Sequence, residues 1–295
     1  FEECIISQIG ETLYWEFFGE YSKKWWGIDL QKLSSDMAPP NLVIGKRTSY
    51  GHITTGYRKP KKEIYPTKGG IFSIAKALKR KIEIMGGIIL TNSKIQKLEY
   101  NGDKISRIVI EREEDIVELS SEDSLVLSTI PLVILCKMLK IKCDLLYRGD
   151  ICILVKLRGR RLFNYSWIYF HDSDIVFSRI HEPLYYSNYN APKGHTSLCI
   201  EITCFINDKI WNDKNLQYKV LDQLIDLRIV KEYHDPEVLG TMKSAYAYPV
   251  YTIDYKQKLE STIRKIRFFK NLEIKGRTGS FKYLNMEGCL KWAVY

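Results

Sequence analysis

The chain has 295 residues, 45% of them hydrophobic and 27% charged, a composition that points to a soluble globular protein of one large or two ordinary domains. Lysine plus arginine (45) exceeds aspartate plus glutamate (35) by 10, but the bases interleave with acids, as in Glu111-Arg112-Glu113-Glu114-Asp115, and the richest patch, Lys59-Pro60-Lys61-Lys62, is short. That pattern argues against nucleic acid as a partner and stays compatible with an anionic small-molecule substrate, while no run nears the roughly 18 apolar residues of a membrane span.

Residues 1–30 read as helical, with Ile5, Ile9, Leu13, Phe17 and Phe18 at helical spacing and an aromatic cluster, Tyr21, Trp25 and Trp26, closed by Gly27. Residues 36–70 are irregular, broken by Pro39-Pro40, Pro60 and Pro66. Gly69-Gly70 then opens an amphipathic helix whose buried stripe is expected to be Ile71, Ile74, Ala75, Leu78 and Ile82.

Strands follow. Ile88-Ile89-Leu90 leads to a hairpin, 95–100 and 105–110, around the Asn101-Gly102-Asp103 turn. Another strand is expected at 116–119. Ser124 to Thr129 is a continuous apolar strand stopped by Ile130-Pro131, where a helix, 132–139, begins. From about 147 to 205 the pattern turns antiparallel, with strands at 151–157, 167–171, 175–180 and 197–205 and an Asp172-Ser173-Asp174 turn. Helices are expected at 216–233 and 253–266, separated by the tyrosine run Tyr246, Tyr248 and Tyr251. Leu272-Glu273-Ile274 reads as a short buried strand. It runs into Gly276-Arg277-Thr278-Gly279, a turn whose two glycines permit close approach of the backbone to a ligand, and a helical tail from Asn285 follows.

The expected class is α/β with α+β. An incomplete, Rossmann-like dinucleotide-binding domain (65–140 and 269–295) would bracket an antiparallel-sheet and helical substrate domain (141–268), with a helical cap at 1–64. The pattern starts at Phe1 and stops mid-helix at Trp292-Ala293-Val294-Tyr295, so the chain reads as a piece of a longer polypeptide. Seven cysteines without C-x-x-C, several in apolar runs, suit a reducing, cytoplasmic setting. The five histidines make no zinc spacing, and no metal site is expected.

Five motifs, taken in order, resemble the FAD-dependent amine-oxidase superfamily, in the branch of UDP-galactopyranose mutases and protoporphyrinogen-oxidase-like proteins. They are Leu13-Tyr14-x-x-Phe17-x-x-x-Tyr21-Ser22-x-Lys24-x-Trp26-Gly27, Tyr65-Pro66-x-x-Gly69-Gly70, Thr91-Asn92-Ser93-Lys94-Ile95, Ser128-Thr129-Ile130-Pro131, and Gly276 to Glu287. The last is similar to the mutase motif G-R-x-G-x-Y-x-Y-x-x-M-D. The resemblance implies FAD held by Gly70, Ile95, Thr129, Gly276, Arg277, Gly279 and Met286. Ile95, Thr129 and Met286 would act through main-chain atoms and Arg277 through its charge on the diphosphate; the competing reading of Arg277 is a surface arginine on a turn. It further implies a substrate near Trp26, Arg47, Tyr248, Tyr251 and Tyr283, against the plainer reading of the aromatics as core.

Two departures stand out. The G-x-G-x-x-G segment that precedes these motifs in the family is missing from the 295 residues, so an amino-terminal nucleotide-binding segment is an expected partner. Phe281 also stands where mutases carry a tyrosine that would hold a substrate phosphate. No catalytic acid or base is assigned, since the flavin carries the redox chemistry in such enzymes. The implied activities are an amine-oxidase-like oxidoreductase with substrate between the antiparallel sheet and the flavin, a mutase-like isomerase of a nucleotide sugar, or a non-catalytic remnant.

Overall fold

The computed structural model describes residues 1–38 and 64–294. In chain order the helices are α1 (Glu2–Ile9), α2 (Glu11–Tyr14), α3 (Glu20–Trp26), α4 (Phe72–Ile84), α5 (Leu132–Met138), α6 (Leu216–Asp226), α7 (Tyr255–Ile266) and α8 (Met286–Val294). The strands are β1 (Ser93–Asn101), β2 (Lys104–Arg112), β3 (Asp115–Ser120), β4 (Val126–Ser128), β5 (Leu146–Arg158), β6 (Ile168–Tyr169), β7 (Arg179–His181), β8 (His195–Cys204), β9 (Glu237–Val250) and β10 (Leu272–Ile274). The class is mixed α/β, and the chain divides into two compact units: Phe1–Arg80 with Arg148–Ala245, and Lys81–Tyr147 with Tyr246–Tyr295.

The first unit is built on a five-stranded sheet of order β6-β7-β8-β5-β9. Side chains alternate across it. Ile151, Ile153, Val155 and Leu157 of β5 and Leu198, Ile200 and Ile202 of β8 face one side, where Leu216, Val220 and Leu224 of α6 cover them. The amino-terminal helical segment is broken rather than continuous. Gly10 (φ 85°) separates α1 from α2, and a π-helical turn, Trp15–Gly19, joins α2 to α3. The Arg148 side chain, 5% exposed, fastens α3 to the sheet: its Nε donates to the Trp25 carbonyl (3.1 Å) and its Nη2 to those of Lys24 (3.3 Å) and Thr203 (3.1 Å).

The second unit holds the antiparallel sheet β1-β2-β3 and the two-stranded parallel sheet β10-β4. The hairpin forms where Asn-Gly placed it, with Asn101 opposite Lys104 and Gly102 at φ 57°. The core gathers Leu98, Ile105, Leu132, Leu135, Tyr147, Ile266, Phe269, Leu272 and Phe281. Asn271 joins the two sheets. Its Nδ2 donates to the carbonyls of Ile105 (2.9 Å), Ser121 (3.0 Å) and Ser124 (3.2 Å), and its Oδ1 accepts from the Ile105 amide (2.8 Å).

Four expectations are corrected. The helix after Gly70 forms, but none of its residues is buried: Ile71, Leu78 and Ile82 are 42%, 50% and 43% exposed, because no described segment covers the stripe. Residues 88–90 are not a strand, lacking a pairing partner among the described residues. The helix expected over 216–233 ends at Asp226, where Arg228 turns left-handed (φ 57°). Tyr246 and Tyr248 of the tyrosine run belong to a 14-residue strand, β9, where no strand was expected, and Tyr251 follows its end.

Candidate functional site

In the second unit, β4 and β10 run parallel, Leu272 opposite Val126 and Ile274 opposite Ser128, so their carboxyl ends lie side by side. Ligands of open α/β sheets bind outside such ends. Both chains turn there at once. Beyond Ser128 the chain passes Thr129 into α5, and beyond Ile274 it enters the glycine–arginine turn. The Lys275 amide donates to Ser128 O (2.9 Å), Leu132 N to Thr278 O (3.1 Å), and the Tyr147 hydroxyl to Thr278 O (2.6 Å). Thr278 Oγ1 donates to Thr129 O (3.3 Å).

The two glycines serve different ends. Gly276 sits at φ 78°, a conformation costly for other residues. A Cβ on Gly279 would lie 2.4 Å from Lys275 O, 2.9 Å from Thr129 Cα and 3.0 Å from Ser128 O, so the missing side chain is what lets the two strand ends touch. Ser280 N donates back to Gly276 O (3.1 Å) and Lys282 N to Arg277 O (2.9 Å), which closes one helical turn. The amides of Gly276, Arg277, Thr278 and Gly279 open that turn and find no acceptor among the described residues. Unsatisfied amides of this kind receive anions well.

Arg277 does not extend freely. Its Nε donates to Ala247 O (3.0 Å) and its Nη1 to Leu284 O (2.8 Å), while the guanidinium lies 4.9 Å from the Tyr248 ring and 4.6 Å from the Tyr283 ring. Half-burial between two aromatic rings fixes the group in place. Three of its five N–H donors have no hydrogen-bond acceptor among the described residues. Tyr251 completes the arrangement: its hydroxyl accepts from the Tyr283 amide (2.8 Å), and its ring stacks on Tyr255 at 4.2 Å. Met286 is the first residue of α8, 49% exposed, and Asn285 Oδ1 caps that helix by accepting from Gly288 N (2.8 Å). Phe281 is fully buried at φ 53°, its ring 5.0 Å from Tyr147, so a hydroxyl at this position would face core and not a substrate. Tyr283, 44% exposed, is the aromatic that reaches the surface.

The structure thus brings together Thr129, Gly276, Arg277, Gly279, Tyr248, Tyr251 and Tyr283. Ile95 pairs with Ile110 in the hairpin sheet and packs against the same apolar core, without a hydrogen bond to the glycine turn. Gly70 belongs to the first unit, in a loop held by Asn190 Nδ2 donating to Tyr65 Oη (3.1 Å) and Ser187 Oγ donating to Thr67 O (2.5 Å). Trp26 is only 7% exposed, a core position by burial, and Arg47 lies outside the described residues.

A second cluster, absent from the sequence reading, occupies the sheet face of the first unit opposite its core. The Arg179 guanidinium lies 4.6 Å from the Trp25 ring and 4.3 Å from that of Trp167, and its Nε and Nη2 meet Glu201 Oε2 at 2.8 and 2.6 Å. His181, two residues on, packs against Trp167 at 4.4 Å, and its buried Nδ1 has no hydrogen-bond partner. Burial, with the Arg179 charge beside it, lowers the His181 pKa to about 4, so the ring is neutral at pH 7. Lys24 reaches this region through bonds from Nζ to the carbonyls of Asp172 (2.9 Å) and Phe170 (3.2 Å), and burial lowers its pKa to about 8. The signal that would have found the cluster is alternation. Arg179 and His181 on β7, and Cys199 and Glu201 on β8, are the off-core positions of paired strands.

Among the described residues no three His, Cys, Asp or Glu side chains gather as metal ligands, and no helix is long and apolar enough to cross a membrane. No protein-family model matches the chain, and no curated protein sequence matches it. Its fold is similar to that of solved structures. A reduced UDP-galactopyranose mutase superposes with a TM-score of 0.73 at 18% identity, over 96% of this chain and 63% of the mutase. A putative protoporphyrinogen oxidase from Exiguobacterium sp. 255-15 gives 0.53 at 14% identity, over 75% and 49%. At these identities the likeness is one of fold, and the chain spans less than two thirds of either protein.

Proposed function

We propose, taking the mutase-like fold as the premise, that this chain is the major part of an FAD-dependent oxidoreductase of the amine-oxidase kind. The observation that carries the proposal is the glycine–arginine turn seated on the carboxyl ends of β4 and β10, in a chain that follows the mutase fold over 96% of its length. The residues fit the cofactor. Gly276 to Gly279 offer four amides without acceptors, Gly279 keeps the strand ends in contact, and Arg277 is held in place with donors to spare for a diphosphate. Thr129 and Met286 present main-chain atoms at the same turn and at the start of α8. Bound flavin would accept an electron pair from the substrate, and the chain's part is to bind and orient. A dinucleotide-binding segment from outside these 295 residues would complete the FAD site. The uncovered apolar stripe of α4 and the two-strand parallel sheet, too small to be stable alone, both support that reading.

One observation favours a second reading. The mutase gives the higher of the two superposition scores, which suits a flavin-dependent isomerase of a nucleotide sugar in place of an oxidase. The test is the anaerobic absorption spectrum of the intact native polypeptide. Flavin colour bleached by a candidate amine supports the oxidase. Turnover of UDP-galactose only after dithionite reduction supports the isomerase, and a colourless protein that ignores added FAD sinks both in favour of a non-catalytic remnant. Residues 1–295 alone are expected to retain little FAD.

A further inference from the structure

At one end of the first unit's sheet, β5 stops at Arg158 opposite His195, the first residue of β8. Just beyond that pair Gly159 N donates to Gly194 O (2.8 Å), which ties the segment after β5 to the segment before β8. The two segments border an open groove of about 760 Å³. Arg160 and Arg161 line it from the first, Leu184, Pro192 and Lys193 from the second, and His195 from the strand itself.

The walls are fixed by buried polar contacts. Glu182, fully buried just past β7, accepts from the amides of Leu162 (2.9 Å) and Phe163 (2.9 Å) and from the Thr196 hydroxyl of β8. A carboxylate withdrawn from water is tolerated only with such donors, and two of these three are backbone amides of the segment that directly follows the arginine pair. Across the groove, Asn190 Nδ2 donates to Pro183 O (2.8 Å) and holds the turn that carries Leu184. A ligand bound here has to order side chains but not the loops that bear them.

The charges at this end of the sheet are unequally satisfied. On β5, Lys156 meets Glu237, and Arg158 Nη2 meets Asp235 Oδ2 at 2.8 Å. Farther along, Arg160 and Lys193 have no carboxylate partner among the described residues. Arg161 has the Asn164 amide oxygen (3.1 Å) and the Tyr185 ring (5.7 Å), both uncharged. No Asp or Glu lines the groove. Two guanidinium forks and an ammonium suit a phosphate dianion, while Leu184 and Pro192 offer an apolar surface to a carbon skeleton. The volume is that of a small-molecule site, and three cations form a spot rather than the stripe that follows a nucleic-acid backbone.

We propose that this groove binds the phosphate or diphosphate group of a soluble small molecule. It belongs to the first unit and the glycine–arginine turn to the second, so the proposal stands apart from the flavin reading.

The test is arginine footprinting of the folded chain with phenylglyoxal, with and without sodium pyrophosphate at constant ionic strength, read residue by residue by mass spectrometry. Pyrophosphate should slow modification of Arg160 and Arg161 roughly tenfold, the equivalent of one charge-assisted hydrogen bond, and leave exposed Arg112 of the second unit within about twofold. The same probe should protect Lys193 from acetylation, and the double variant Arg160→Gln, Arg161→Gln should lose that protection. Both arginines are exposed and the Glu182 bonds go to backbone, so the variant keeps its fold, which circular dichroism checks. Unchanged modification of Arg160 and Arg161, equal protection by sodium succinate, or protection of Arg277 alone would each overturn the proposal. So would full protection of Lys193 in the double variant. Protection by phosphatidylcholine vesicles containing phosphatidic acid, without protection by pyrophosphate, would replace the soluble ligand with a lipid headgroup and overturn it as well.

Discussion

Replacing Gly279 with alanine adds one methyl group where the structure has no room for it. The methyl carbon would stand 2.4 Å from Lys275 O, 2.9 Å from Thr129 Cα and 3.0 Å from Ser128 O. Carbon contacts are optimal at about 3.5–4.0 Å, so the worst of these is short by about 1 Å. All three obstacles are backbone atoms and cannot rotate away. The turn must lift off β4, which strains the bonds from Lys275 N to Ser128 O and from Leu132 N to Thr278 O. Overpacking of this kind costs about 1–3 kcal/mol, and weakening two buried hydrogen bonds adds about 1 kcal/mol, so a total of about 2–4 kcal/mol is expected. Gly240→Ala is the control: its added Cβ meets nothing within 4 Å and its φ is not left-handed, so a change within about 0.5 kcal/mol is expected. Urea unfolding followed by circular dichroism reads both. If Gly279→Ala unfolds at the same urea concentration as Gly240→Ala, the packing of the turn on the strand ends is wrong.

Three further outcomes are expected. Asn271→Ala removes four hydrogen bonds between the two sheets of the second unit and should cost about 2–3 kcal/mol; Asn271→Asp should fare no better, since its carboxylate would face three carbonyls. His181 is held neutral with a native pKa of about 4, below the unfolded value of about 6.5, so the unfolded chain binds the extra proton between these values. Stability should be full above pH 6.5 and fall by up to about 3 kcal/mol as pH drops towards 4, and His181→Phe should remove that part of the slope in pH-dependent unfolding. Glu201→Gln removes the carboxylate charge that Arg179 meets at 2.6 Å; a loss of roughly 2–4 kcal/mol and altered emission from the flanking Trp25 and Trp167 are expected in fluorescence-detected unfolding.

What the sequence made legible was local chemistry. Asn101-Gly102 placed the hairpin turn, Pro131 marked where β4 hands over to α5, and the glycine–arginine spacing announced a tight turn after a buried strand. What it hid was decided by neighbours distant in the chain. The stripe on α4 has helical periodicity, yet periodicity says which face is apolar and not whether anything covers it. Strand β9 escaped notice because Gly240 and Pro249 interrupt the usual strand signals, and its alternating alanines and tyrosines read as cleft-lining or packing aromatics. The residue type of Arg277 pointed to phosphate; only the fold could show that Tyr248 and Tyr283 hold it. The Arg179–Glu201 pair, 22 positions apart, becomes visible only once the β7–β8 register is known.

The central claim is that the glycine–arginine turn receives the flavin's anionic portion through its own amides. Hydrogen exchange of the intact native polypeptide, with and without saturating FAD, tests this most directly. Residues 276–279, whose amides have no acceptor among the described residues, should exchange quickly without FAD and become strongly protected with it, while β3 stays unchanged. If bound FAD leaves these amides as exchangeable as before, the turn is not the cradle and the flavoenzyme reading loses its structural basis.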